Sequence, residues 1–390
     1  MPEAYIIAAT RTAGGRKGGK LAGWHPTDLA GQVLDALVEQ AGVDPAAVDD
    51  VIMGCVGQVG EQANNVARGA ILSSRLPESV PGTSVDRQCG SSQQALHFAA
   101  QAVMSGTQDI VIAAGVESMT RVPMGTSVRL PLEAGLGLPI SPAQQKRYPN
   151  VQFSQFMGAE MVAEKYQLTK DELDRFGYES HLKAAAATQR SAFKDEILPI
   201  RIADGDGAEA LHAADEGIRF DASLEAIRSV KLLREGGRIT AATSSQICDG
   251  ASGVMVVSEK GLKQLGVQPL ARIHHMTVVG GDPVIMLEAP IPGTLLALKK
   301  AGMSIDDIDL FEVNEAFASV PVAWLKTTHA DPAKLNVNGG AIALGHPLGA
   351  SGTKLMTTLL HALKARGKTW GLQTMCEGGG LANLTIVEAL

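Results

Sequence analysis

The sequence predicts an α/β chain of two similar halves, and three observations predict it. Two stretches, AVDDVIMGCV (47–56) and SIDDIDLFEV (304–313), lie 257 positions apart and read alike. Each follows a helical stretch ending in Ala-Gly and passes through a short turn into a mostly apolar strand, the pattern of a strand covered on both faces. The same offset carries Cys89 onto His346. Finally, residues 120–245 fit neither half and read as an insertion. The expected division is therefore 1–119 with 246–270 as one half, 120–245 as an inserted loop or lid domain, and 271–390 as the second half.

The elements follow in order. Beyond Cys89, residues Ala95, Leu96, Ala99, Ala100, Val103 and Met104 form one apolar helix face that Gly106 ends, and DIVIAAGVES (109–118) reads as the next strand. Beyond His346, Leu355, Met356, Leu359, Leu360 and Leu363 form the equivalent stripe; Gly367 ends it, and TWGLQTM (369–375) is the next strand. The insertion holds a Pro/Gly-rich passage (123–149), a helical stretch from about 155 to 190, and a polar loop, ADGDGAEALHAADEG (203–217). SQICDGASGVMVVSE (245–259) returns to the first sheet. If the halves pack about a pseudo-twofold axis, Cys89 and His346 face one cleft.

Composition excludes several functions. The chain has 390 residues, 45% hydrophobic and 19% charged, enough for a large core. A net charge of −7 and an aromatic content of 4% argue against nucleic-acid binding, which uses basic surface and stacking platforms. No apolar run is long enough for a membrane span. The N-terminus lacks the order of a secretory signal, and four cysteines without a CxxC pair make no disulfide framework, so a cytoplasmic location is expected. No HExxH, paired CxxC or carboxylate cluster suggests a metal.

The reactive groups are few. Cys89 sits in DRQCGSSQQA at a helix N-terminus, where unpaired N–H groups and the dipole favour thiolate, and Gly90 and Ser91 leave the sulfur accessible. His346 lies in NVNGGAIALGHPLGASG (336–352), suited to take a thiol proton or stabilise an oxyanion. Cys376 precedes three glycines in TMCEGGGLAN (374–383), a run whose N–H groups can converge on an anion. FEVNEAFAS (311–319) ends a strand with Asn314 and Glu315, polar groups costly to bury without a role. Cys55 and Cys248 read as core, and His274, His275 and His361 as core or surface groups.

With these residues assembled, the whole chain resembles the thiolase family. NEAFA (314–318), NxNGGAIALGHPxGASG (336–352) and CxGGG (376–380) carry the resemblance, with QCGSS around Cys89. It implies a thiolase fold, a layered α-β-α-β-α arrangement with an inserted loop domain, assembled as a homodimer or homotetramer. It implies Cys89 as the acylated nucleophile, His346 as its base and Cys376 as the acid/base for the α-carbon and the CoA thiol. Asn314 would hold a water, and the N–H groups of Cys89 and Gly378 would form an oxyanion hole. The implied activity is thiolysis of 3-ketoacyl-CoA, or the reverse condensation, with coenzyme A as co-substrate and no resident cofactor. Met157, Arg219, Ser245, Ala316 and Phe317 match CoA-lining positions, and Arg219, Arg228, Lys231, Arg234 and Arg238 add local positive charge for its phosphates.

Departures from the short-chain biosynthetic pattern, Phe156, Ala226 and Leu233 among them, point to a degradative enzyme for longer, branched or cyclic acyl groups. GEQANN (60–65) and TSSQ (243–246) are similar to stretches of steroid-degrading thiolases. The alternatives are a biosynthetic acetoacetyl-CoA thiolase, an inert acyl-CoA or lipid carrier, which the intact cysteines and histidine oppose, and a decarboxylating condensing enzyme, which Cys376 opposes. One motif belongs to another class: YIIAATRTAGGRKGGK (5–20) approaches a phosphate-binding loop, but Leu21 stands where Mg²⁺ binding needs Ser or Thr.

Overall fold

The computed structural model describes residues 2–203 and 209–390. Among these, nine principal strands carry the fold: β1 (Ala4–Thr12), β2 (Asp50–Gly54), β3 (Gly82–Val85), β4 (Ile110–Ser118), β5 (Cys248–Ser258), β6 (Ala271–Gly280), β7 (Leu310–Val313), β8 (Trp370–Glu377) and β9 (Leu381–Ala389). They run β7-β8-β9-β6-β1-β5-β4-β2-β3. Read outward from the β6–β1 seam, the halves repeat: β1 matches β6, β5 matches β9, β4 matches β8 and β2 matches β7. The pairs β2–β4 and β7–β8 are parallel, and the neighbours closer to the seam are antiparallel. Even the irregularities correspond, with register shifts between Ile6 and Ala8 in β1 and between Ile273 and His275 in β6. The seam is short, pairing only Tyr5 with Arg272 and Ile6 with Ala271.

Strands buried on both faces need helices on both faces. Seven helices position the site: α1 (Pro26–Ala41), α2 (Ser91–Ser105), α3 (Gln155–Lys165), α4 (Lys170–Gln189), α5 (Pro290–Ala301), α6 (Ser319–Thr328) and α7 (Ser351–Arg366). Leu29, Val33 and Leu37 of α1 pack on Val51, Met53 and Met255 outside the first half. Ile291 of α5 and Trp324 of α6 pack on Phe311 and Ile386 outside the second. Between the two, Leu96 and Val103 of α2 join Met356 and Leu363 of α7 in a cluster that includes Ile6, Val254, Ile273 and Val387. The result is the five-layer α/β arrangement that the resemblance implies. Both central helices stop at left-handed glycines, Gly106 and Gly367, where the sequence places the stops.

The central helices touch almost backbone to backbone near their N-termini. The Thr353 N–H donates to Ser92 Oγ at 3.0 Å. A Cβ at Gly352 would stand 2.1 Å from the Gln93 nitrogen, so only glycine fits. This contact ties the Cys89 segment to the His346 segment.

The insertion differs in detail from the expected pattern. The single helical stretch over 155–190 is two helices, α3 and α4. Gln167 adopts φ 52, and Thr169 opens α4 with a reciprocal capping box to Glu172, which stabilises a new start rather than a continuation. The passage over 123–149 contains two short helices, Thr126–Glu133 and Pro142–Arg147, with no buried residues. The polar loop at 203–217 includes residues 204–208, which lie outside the described residues; the flanking segments Ile200–Ala203 and Glu209–His212 pair antiparallel. Among the described residues, no helix is long and apolar enough to cross a membrane.

Candidate active site

Local chemistry sets the Cys89 turn. Gln88 takes φ 50, a left-handed conformation costly for a residue with a Cβ. It is held there because Ser91 Oγ donates to the Gln88 carbonyl at 2.6 Å and accepts from the Arg87 N–H at 2.9 Å. Gly90 follows because Glu377 fills the space beside it: an added Cβ would lie 2.0 Å from Glu377 Oε1. Cys89 is 8% exposed, packed with Met119, Leu348 and Met375.

Cys376 comes from the end of β8 and is fully buried. Burial pushes its thiol well above the ordinary range, and Cys89 adds to the rise. For Cys89, burial pushes the thiol up to about 12 and Glu377 adds to the rise, while the N–H groups of Cys89 and Gly378 face the sulfur and pull it down. This corrects the expectation of a thiol lowered by its helix: the sulfur is desolvated as well as capped, and desolvation wins.

His346 completes the group. Ser351 Oγ donates to the Pro347 carbonyl at 2.8 Å, so it accepts from the His346 Nδ1–H at 2.5 Å. That fixes the proton on Nδ1 and leaves Nε2 basic, where the Asn314 amide donates at 3.3 Å. Burial, with a smaller push from Lys354, lowers the imidazole to about 3, so it is neutral at rest. Asn314 is placed by its N–H bond to the Thr374 carbonyl at 3.0 Å, two residues before Cys376. Its Oδ1 is buried without a partner, an open acceptor suited to a water. Cys89, Gly378, Cys376, His346 and Asn314 are thus brought together from both halves.

Two cavities open on this group. One, of about 470 Å³, is lined by His346, Ser245, Ala316 and Phe317, together with Arg16 and Lys17. Met157 and Arg219 are not among its lining residues; Met157 Sδ is instead approached by Arg234 at 3.6 Å. Nor do Arg228, Lys231, Arg234 and Arg238 line it, and Arg228 pairs with Asp171. The other cavity, of about 600 Å³, is lined by Cys89 and Gly378 with Met124, Tyr148, Phe153 and Met286. Among the described residues, no cluster of three His, Cys, Asp or Glu side chains is placed to hold a metal ion.

Residues 4–260 match the family model described as thiolase, N-terminal domain, and residues 267–389 match thiolase, C-terminal domain. The chain belongs to the thiolase family. Over 392 residues it is 51% identical to the steroid 3-ketoacyl-CoA thiolase FadA6 of Mycobacterium tuberculosis, covering 100% of this chain and 95% of that protein. It is 40% identical over 395 residues to the 3-ketoacyl-CoA thiolase of Citrobacter koseri, with 100% and 99% covered. The crystal structure of the Bacillus anthracis acetyl-CoA acetyltransferase superposes with a TM-score of 0.91 at 35% identity, covering 100% and 99% of the two chains. As a thiolase, the protein is an acyltransferase with coenzyme A as co-substrate.

Several residues that hold the thiolase site escape a reading of motifs. Ser351 fixes the imidazole tautomer. Glu117 accepts from the N–H groups of Val56, Gly57 and Gly349 and from Gln62 Nε2, all within 2.9 Å, tying the histidine loop to the first half. Lys354 donates to the carbonyls of Leu344 and Gly345, directly before His346. Glu315, noted in the sequence only as awkward to bury, accepts from Ser180, Asn336 and the Ile342 N–H and so anchors the glycine-rich loop to α4. For Glu117, Glu315 and Lys354, a carboxyl or ammonium group within an otherwise apolar run was the available signal; which groups it would bond was not.

Proposed function

We propose that the protein cleaves 3-ketoacyl-CoA by CoA-dependent thiolysis, in the degradative direction, through an acyl-cysteine intermediate. The observation that carries the reading is the buried pair of thiols, Cys89 beneath its own N–H and that of Gly378 and Cys376 at the end of β8, together with a neutral imidazole whose unprotonated Nε2 is joined to β8 through Asn314. In the proposed cycle, His346 Nε2 takes the Cys89 proton as the sulfur attacks the 3-keto carbon. The Cα–Cβ bond breaks, and Cys376 protonates the departing α-carbon of acetyl-CoA. Cys376 then takes the proton of the incoming CoA thiol, whose sulfur displaces the acyl group from Cys89, and the released Cys89 sulfur recovers its proton from His346 Nε2. Asn314, through a water on Oδ1, and His346 stabilise the enolate, and the N–H groups of Cys89 and Gly378 stabilise the acyl oxyanion.

The cavity of about 470 Å³ suits the pantetheine arm, with Ser245, Ala316 and Phe317 along it. The larger cavity beside Cys89, with Met124, Phe153 and Met286 in its wall, suits a long, branched or cyclic acyl group, in keeping with the relative named as a steroid thiolase. The proposed division is 1–119 with 246–270, an inserted 120–245 and 271–390. The proposed setting is a homodimer or homotetramer in the cytoplasm, for which the edge strand β3 and the exposed Leu130, Leu132 and Leu136 leave surface to cover.

Thiolysis measured over a panel of 3-ketoacyl-CoAs tests the reading. Ping-pong kinetics with a preference for bulky acyl groups is expected; sequential kinetics, or no turnover of any member, overturns it. Iodoacetamide is expected to label Cys89 first and acetoacetyl-CoA to protect it, whereas equal labelling of all four cysteines contradicts the assignment.

A further inference from the structure

One buried carboxyl has no place in the proposed cycle. Glu377 directly follows Cys376, is fully buried, and packs against the turn that carries the nucleophile: a Cβ at Gly90 would lie 2.0, 2.4 and 3.0 Å from its Oε1, Cδ and Cγ. Gly90 follows Cys89, and Gly378 follows Glu377. The side chain therefore braces, one against the other, the two segments whose N–H groups face the Cys89 sulfur.

Little holds a charge on this carboxyl. Oε1 accepts the Asn383 N–H at 2.8 Å, and Oε2 is buried without a partner. Arg87 is near enough to favour the ion, but among the described residues it makes no bond to the carboxyl, and its Nε is buried without a partner. His97 of α2, joined to Asn383 at 3.1 Å, is neutral, its imidazole lowered by burial to about 3. A carboxyl so placed keeps its proton, because water is excluded and no bonded cation replaces it. Once ionised, it would set an unpaired negative charge beside the oxyanion hole. After burial, Glu377 is the largest influence on the Cys89 thiol, ahead of Glu117, and it acts on the Cys376 thiol as well.

We propose that Glu377 is a positioning residue: uncharged, it braces the Cys89 turn against the Gly378 loop and lets the thiolate and the acyl oxyanion form, and ionised, it opposes both. The inference rests on the thiolase reading for the reaction it serves, while the coupling between this carboxyl and the nucleophile is read without turnover. The full-length wild type, Glu377→Gln and Glu377→Ala test it. One readout is the rate at which iodoacetamide labels Cys89, followed by mass spectrometry from pH 6.5 to 9.5. The other is kcat/KM for one 3-ketoacyl-CoA.

Wild type and Glu377→Gln are expected to label alike at pH 6.5. Above the point near 8 where Glu377 ionises, Glu377→Gln is expected to label about tenfold faster, the effect of moving a thiol pKa by about one. Glu377→Ala, which removes the brace, is expected to lose about 10- to 100-fold in kcat/KM at pH 7, and Glu377→Gln, of the same size and uncharged, to recover most of that loss. Matching labelling profiles for wild type and Glu377→Gln overturn the proposal. So does a Gln variant no more active than the Ala variant, which would show that the ion is needed. Wild type that cleaves no 3-ketoacyl-CoA yet shows the labelling difference would instead remove the thiolase reading and leave the coupling in place.

Discussion

At the residue scale, the proton inventory of the site decides how it starts. Both thiols are neutral at rest and the imidazole is unprotonated, so in the proposed cycle the nucleophile is made when substrate arrives rather than stored as thiolate. With His346 held near 3, kcat/KM is expected to show no acid limb near 6.5, the ordinary imidazole value; a fall centred there in a pH profile would contradict the burial argument. Ser351→Ala removes the acceptor on Nδ1 and frees the tautomer. It is expected to lower kcat by about 10- to 100-fold with little change in KM. Gly90→Ala would drive a methyl into Glu377 Oε1. A loss of about 2–3 kcal/mol in unfolding free energy is expected, partly recovered when Glu377→Ala is added.

The same neighbour carries a pH effect. Burial raises Glu377 to about 8, against smaller lowering by the Asn383 N–H and Arg87. Its folded value lies above the unfolded one, so its contribution is full below about pH 4.5 and is lost as pH rises through 8. Urea unfolding of Glu377→Gln is therefore expected to give a flatter decline of stability between pH 5 and 8 than wild type. An unchanged slope would show that this carboxyl does not keep its proton.

At the element scale, the helices that deliver Cys89 and His346 are placed by their mutual contact as much as by the sheet. Gly352→Ala puts a carbon 2.1 Å from a backbone nitrogen, which cannot swing aside as a side chain can. Destabilisation of about 3 kcal/mol is expected in chemical denaturation, with activity falling further than stability because both catalytic segments move together. Elements with a strong period were legible in the chain. The faces of α2 and α7, their glycine stops and the strands β4, β5 and β8 follow from apolar spacing and stop residues. The break between α3 and α4 was not, because apolar residues continue through it and a single capping box decides it.

At the scale of the whole molecule, one buried ionic group joins β1, the insertion and α7. Arg11 bonds Glu196 at 2.7 Å and Asp215 at 2.9 Å, and Lys354 lies 3.9 Å from Asp215. Burial alone would raise the Asp215 carboxyl, but Arg11 and Lys354 more than offset it and hold it below the usual range. Its stabilising contribution is therefore present at neutral pH and lost in acid. Arg11→Met leaves two carboxylates buried without their partner, and a loss of about 3–5 kcal/mol is expected by calorimetry or denaturant titration. Loss of the insertion's contacts is expected to accompany it, since Glu196 and Asp215 are its anchors.

The sequence by itself determined the doubled α/β plan and marked Cys89, His346, Asn314, Cys376 and Gly378 as candidates, because period, offset and motif are written along one chain. Only the tertiary structure decided their charge states, the tautomer set by Ser351 and the clamp made by Glu117. Those depend on desolvation and on how side chains meet in space, from Ser351 five residues beyond His346 to Glu117 232 residues before Gly349, which linear spacing does not encode.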